Sequence, residues 1–114
     1  MKLITAVIQP GKLDEVTRAV TQAGAGGLTV TEVRGFGQQY GHGHPGMVRP
    51  AERQAMVLPK LRIDAVVPDE VAEAVIDAIA KAVSTGTIGD GKIWVSAVES
   101  VLRVRTGERD HDAV

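Results

Sequence analysis

The chain has 114 residues, a net charge of −1, no cysteine, 44% apolar and 24% charged residues. That length suits one domain with a real core. The charge balance argues against a dedicated nucleic-acid binder, which needs an excess of cations to neutralise phosphates. The missing thiols exclude a disulfide framework and a thiolate metal site. No apolar run is long enough to cross a bilayer, and the N-terminal MKLITAVIQPGK lacks the apolar length and cleavage site of a signal peptide, so a soluble cytoplasmic protein is expected.

Leu3–Ile8 is a short β-branched run stopped by Pro10-Gly11 and predicts a buried strand. Leu13, Val16, Val20 and Ala23 then recur at helical spacing, with Asp14 and Glu15 in the first turn, where acids suit the helix dipole. Gly24, Gly26 and Gly27 end that helix, and the Thr- and Val-rich Leu28–Arg34 predicts a second strand. Gly35–Leu58 has no period and holds five glycines and two prolines. It is read as a loop of roughly twenty residues, a length usually tied to function. The pattern then restarts. Leu61, Ile63, Ala65 and Val67 alternate as a strand. Pro68-Asp69-Glu70 opens a helix with Val71, Val75, Ala78, Ile79 and Ala82 on its buried face. Ile93, Val95 and Ala97 alternate again. The order is β-α-β, long loop, β-α-β: an α+β, ferredoxin-like split βαβ (βαββαβ) fold, with four antiparallel strands and two helices on one face. Val101–Thr106 is read as a short additional C-terminal strand, and the polar Gly107–Val114 as a frayed tail.

Two stretches carry chemistry. Gly86-Thr87-Ile88-Gly89-Asp90-Gly91-Lys92 spells G-x-x-x-x-G-K, but a P-loop follows a strand, opens a helix and continues with Ser or Thr. Here the glycines follow a helix, Lys92 leads into a strand, and Ile93 has no hydroxyl for Mg²⁺. Walker A is rejected. Gly89, Gly91 and Lys92 remain compatible with an anion nest beside a cation, and equally with a Gly-rich turn whose lysine faces water. In Leu102-Arg103-Val104-Arg105, strand alternation would place Arg103 and Arg105 on one face about 6.6 Å apart. Paired guanidiniums suit a phosphate between them; charged residues on an edge strand also serve to block aggregation. Together the two stretches favour a polyphosphate ligand without saying which.

The chain resembles the PII signal-transduction proteins, nitrogen-status sensors. The resemblance rests on Thr29-Val30-Thr31-Glu32-Val33 with Arg34-Gly35-Phe36-Gly37, on Gly41-His42 and Leu58-Pro59-Lys60, on Thr85-Gly86-Thr87-Ile88-Gly89-Asp90-Gly91-Lys92-Ile93, and on Arg103-Val104-Arg105-Thr106-Gly107-Glu108. It implies one PII-like domain over residues 1–114, assembled as a homotrimer that binds ATP or ADP in clefts between subunits. It also implies a T-loop at about 37–57 that docks on targets, a B-loop at about 84–92 and a C-loop at about 103–108. Nucleotide-binding positions carried over are Thr29 near the base, Gly35, Gly37, Gln38, Gln39, Val66, Gly89, Asp90, Gly91 and Lys92. Arg103 and Arg105 would reach the phosphates from the adjacent subunit. Gln39 matches a ligand of Mg²⁺ in the ATP complex, where 2-oxoglutarate completes the coordination. Gly37, Gln39, Gly41 and Lys60 are the effector positions, with Lys60 on a 2-oxoglutarate carboxylate. Effector binding would then depend on ATP, whose third phosphate helps fix the cation, and the output would be order in the T-loop.

The loop departs from the family pattern. Arg53 stands where the modifiable tyrosine belongs and no serine is present, so no such modification is expected; Tyr40 lies at the base of the loop and is assigned no role. Gln9 and Gln38 replace basic residues often found at the anion site, which implies weaker 2-oxoglutarate or ATP affinity. His42-Gly43-His44 offers too few ligands for a closed metal site. The leading functional expectation is a regulatory protein, not an enzyme. It would bind an ammonium transporter or a nitrogen-assimilation enzyme, reach the membrane only through such a transporter, and bind no nucleic acid. The alternative is a PII-like adenylate sensor that reads AMP or other adenylates with bicarbonate and regulates inorganic-carbon uptake or carboxysomes. Binding of bicarbonate but not 2-oxoglutarate would discriminate the two. A slow ATPase using Asp90 or Glu108 is the third reading, with negligible turnover expected.

Overall fold

The computed structural model describes residues 1–37 and 57–114. Among the described residues, four strands and two α-helices follow one another: β1 (Lys2–Ile8), α1 (Leu13–Gln22), β2 (Thr29–Gly35), β3 (Leu58–Val67), α2 (Asp69–Val83) and β4 (Lys92–Ala97). The strands form one antiparallel sheet in the order β2-β3-β1-β4. This is the expected ferredoxin-like βαββαβ arrangement. Each half-unit brings its second strand back parallel to its first, with room for a strand of the other half between them.

The core lies between one sheet face and the two helices. Alternation sends Ile4, Ala6 and Ile8 of β1 and Leu61, Ile63, Ala65 and Val67 of β3 to that side, all buried. Val16 and Val20 of α1 meet them, as expected, with Leu13 and Ala23 packed at the margin. On α2 the buried residues are Ala72, Val75, Ile79 and Val83, whereas Val71 and Ala82 are half-buried neighbours. The expected stripe was therefore rotated by about one position. Edge strands get less cover. Ile93 packs against the core, but Val95 of β4 and Val30 of β2 stay well exposed, against the expectation for Val95.

β3 starts at Leu58, earlier than its apolar alternation predicts, and includes Pro59. Pairing with β1 ends at Leu61, while pairing with β2 continues to Leu58. At Pro59 the strand therefore has one neighbour only, a position where a missing N–H is tolerated. Met1 is tied down through its ammonium, 3.0 Å from the Asp69 carboxylate at the start of α2. Bonding to that ammonium, with Lys2 nearby, holds Asp69 below the usual carboxylate range.

Among the described residues, no helix packs on the sheet's second face. Register places Thr29 and Thr31 of β2, Lys60, Arg62, Asp64 and Val66 of β3, Leu3, Thr5 and Val7 of β1, and Lys92 and Trp94 of β4 on that side. Thr5 is nonetheless fully buried. Its hydroxyl donates to Asp64 at 2.8 Å, and Arg62 donates to the other Asp64 oxygen at 3.0 Å. Desolvation pushes the Asp64 carboxyl up, but these hydrogen bonds and the Arg62 charge hold it below its ordinary value.

The C-terminal expectations need correction. Val101–Thr106 is not a strand. Leu102 makes a single bridge to Arg109, and the chain folds back on itself through Arg103 N–H to Glu108 O at 2.9 Å and Gly107 N–H to Arg103 O at 2.8 Å. Arg105 sits within the reversal, so the period-2 geometry that placed it beside Arg103 does not apply. Gly107, at φ 73°, supplies the left-handed residue that closes the turn. The tail is not frayed either. Asp110–Ala113 form a 3-10 turn, and the half-buried Val114 lies against Gly26, in the segment between α1 and β2.

Candidate functional site

A cleft of about 580 Å³ opens where β2, β3, β1 and β4 meet the loop between α2 and β4. Lys60 and Lys92 supply its cations, and Gly35, Gly37, Gly89 and Gly91 bring backbone to its wall. α2 ends at Val83 and Lys92 opens β4. The glycines thus run from a helix into a strand, the reverse of a Walker A loop.

Two devices shape this loop. Gly91 has φ 105°, and a Cβ there would drive into the Val7 carbonyl of β1. Only glycine lets the loop press against the strand this closely. The second device is Asp90. Its carboxylate accepts from the Thr85 N–H at 2.8 Å, the Gly86 N–H at 3.0 Å and the Thr85 hydroxyl, while Thr85 and Thr87 share a hydroxyl contact. Bonding from the Thr85 hydroxyl, with the backbone N–H groups adding to it, lowers its pKa below the ordinary 3.8. The aspartate is anchored to its own loop across the Thr85–Asp90 interval.

Lys60 reaches over from β3 and donates to the Gly89 carbonyl at 3.3 Å. Partial burial pushes its ammonium below the ordinary 10.5. A partly desolvated cation beside a glycine-rich loop gains more from an anionic partner than one in bulk water does. Val7, Phe36, Leu58, Ile88 and Trp94 complete the cleft as an apolar wall. Phe36 and Trp94 are two of the chain's three aromatic residues. Sequence reasoning did not assign this wall. The signal for Trp94 was its position two residues after Lys92 on a strand, which puts both on one face.

The expected site residues fall into separate groups. Gly35, Gly37, Lys60, Gly89, Asp90, Gly91 and Lys92 all line the cleft. Thr29 and Val66 do not. Thr29 is six residues from Gly35 along β2, and Val66 six from Lys60 along β3, so each lies about 20 Å away at strand rise. Thr29 pairs with Asp64, two residues before Val66, so these two share the far end of the uncovered face. Arg103 and Arg105 belong to the C-terminal turn and do not line the cleft of their own chain. Gln38, Gln39, Tyr40, Gly41, the His42-Gly43-His44 segment and Arg53 lie outside the described residues. Among the described residues no helix is long and apolar enough to cross a membrane.

The family model for "Nitrogen regulatory protein P-II" matches residues 1–108. The nitrogen regulatory protein P-II of Rhizobium meliloti (strain 1021) is 54% identical over 114 residues, covering 100% of both chains. Its counterpart in Mesorhizobium japonicum is 53% identical over the same span, again with 100% of both chains covered. The nitrogen regulatory protein GlnK of Escherichia coli (strain K12) is 48% identical, with 100% of both chains aligned. The fold, the glycine-rich loop running from helix into strand, and full-length matches to regulators of this kind agree: the chain belongs to the PII nitrogen regulatory protein family.

Proposed function

We propose that the chain acts as a homotrimer that binds ATP or ADP at its subunit seams and senses 2-oxoglutarate together with Mg-ATP. Through the 37–57 loop it would control a partner, an ammonium transporter or a nitrogen-assimilation enzyme. The observation that carries this reading is the division of the expected nucleotide residues between two ends of one sheet. One chain cannot bring Thr29 and Val66 to the cleft that holds Lys60, Lys92 and the glycine loop; a second copy, laid against the uncovered sheet face, can. Two lysines and glycine backbone form a donor set suited to phosphates. The apolar wall with Phe36 and Trp94 suits a flat, partly apolar ligand. Magnesium held by the triphosphate would offer an oxo-acid two coordination positions. Lys60, at the cleft's edge and partly desolvated, would balance a carboxylate there.

The role is regulatory. Asp90, the carboxylate lining the cleft, is occupied by its own loop, and Glu108 is paired with Arg103. Neither is disposed to activate water, and ATP turnover is expected to be negligible.

Calorimetry with ATP and ADP, then with 2-oxoglutarate added to Mg-ATP-loaded protein, tests the proposal alongside light scattering. Expected are a mass of three subunits, binding of either nucleotide, and 2-oxoglutarate binding only in the presence of Mg-ATP. A single-subunit mass, or no nucleotide heat at millimolar concentration, would refute it.

A further inference from the structure

The turn that carries the two arginines is built unevenly. Arg103 uses three groups on the segment that follows it. Its N–H donates to Glu108 O at 2.9 Å, its carbonyl accepts from Gly107 N–H at 2.8 Å, and its guanidinium Nη1 donates to the Glu108 carboxylate at 3.2 Å. The Glu108 N–H in turn donates to the Thr106 hydroxyl at 3.3 Å. Arg105, in the middle of the reversal, makes no ion pair among the described residues. One guanidinium therefore already holds an internal anion and the other does not.

We propose that the Glu108 carboxylate is a built-in competitor for the anion that Arg103 binds, a gate that phosphate charge must open. The inference rests on the reading of Arg103 and Arg105 as phosphate ligands, and it assigns them different parts: Arg105 engages first, and Arg103 only after exchanging one anionic partner for another. Carboxylate and phosphate oxygens are the same kind of acceptor for a guanidinium fork, so the two compete for the same donors. The pair is about half exposed, with side chains at 42% and 45%. Solvent-screened pairs of this kind are weak enough to be displaced by a more highly charged ligand. Even where Glu108 keeps its single Nη1 contact, its charge beside the site opposes an incoming phosphate. That opposition grows with the ligand's charge. The turn itself is closed by backbone groups at 103, 107 and 108, so it does not need the carboxylate to form.

The test is calorimetry on the full chain with ATP and with ADP. It compares wild type with Glu108→Gln, Glu108→Asp, Arg103→Ala and the double variant Arg103→Ala/Glu108→Gln. Removing an exposed ionic competitor predicts about two- to fivefold tighter ATP binding for Glu108→Gln, with a smaller gain for ADP. Glu108→Asp keeps the charge and should stay near wild type, which separates loss of charge from damage to the turn. Arg103→Ala should weaken binding, and adding Glu108→Gln to it should give a clearly smaller gain than Glu108→Gln gives in wild type, because only the through-space repulsion remains to be relieved. Unchanged or weaker ATP binding by Glu108→Gln overturns the gate, and so does an undiminished gain in the Arg103→Ala background. If wild type binds ATP, such results leave the nucleotide-site reading standing. If wild type binds no nucleotide, that reading falls and the gate with it.

Discussion

Gly91→Ala is the most direct probe of how the glycine loop is fastened to the sheet. At φ 105° an alanine sits outside the conformations open to L-residues, a strain of about 1–3 kcal/mol. The new methyl also meets the Val7 carbonyl of β1, a backbone atom that no rotamer change can move away. Relief requires the loop or the strand end to shift, and Val7 pairs with Lys92, the residue after Gly91. Loss of one ladder hydrogen bond there adds about 1 kcal/mol. The sum is about 2–4 kcal/mol, a large share of the roughly 5–15 kcal/mol that stabilises a domain. For a chain of this size it corresponds to a fall in Tm of roughly 8–20 °C. The assay is thermal unfolding followed by circular dichroism at fixed protein concentration, because Tm depends on concentration for any chain that self-associates. Gly11→Ala is the control, since nothing lies within 4 Å of its added methyl. Equal melting of Gly91→Ala and wild type, or equal losses at both glycines, would refute the reasoning.

Two further outcomes are expected. Asp90 has a depressed pKa, so its contribution to loop order is complete above the ordinary 3.8 and is lost as pH falls through the lower folded value. Carboxyl NMR should place its midpoint below 3.8, and a midpoint at or above that value would show that the Thr85 and Gly86 bonds do not form in solution. Thr5→Val keeps shape but removes the hydroxyl that donates to Asp64. It should cost about 1–2 kcal/mol by denaturant unfolding and raise the Asp64 pKa. If neither quantity moves, the buried threonine is only filling space.

The sequence by itself determined the local elements and their order. The β-branched apolar run of β1, the period-2 alternation in β3, the helical repeat in α1 and the glycines between elements are short-range signals. Steric preference and hydrophobic burial act on them residue by residue, so the βαββαβ order could be read directly. The glycine loop and its lysine were legible for the same reason, because a motif contiguous in the chain stays contiguous in space. Only the tertiary structure decided what depends on distant partners. Period alone could not say that α2 meets the sheet through Ala72 and Val83, because that rotation depends on how the helix sits on β1. Leu102–Arg105 looked like a strand, but backbone bonds from Arg103 to Gly107 and Glu108 outweighed the alternation and turned the chain back. Nor could the pattern show that Asp90 faces its own loop, that Val7 leaves room only for glycine, or that Thr29 and Val66 stand a sheet's length from the cleft. The Val7 contact and the places of Thr29 and Val66 follow from packing and strand register, which couple residues far apart in the chain, whereas the Arg103 turn and the Asp90 bonds join residues four or five apart in conformations that neither the strand nor the helix period describes.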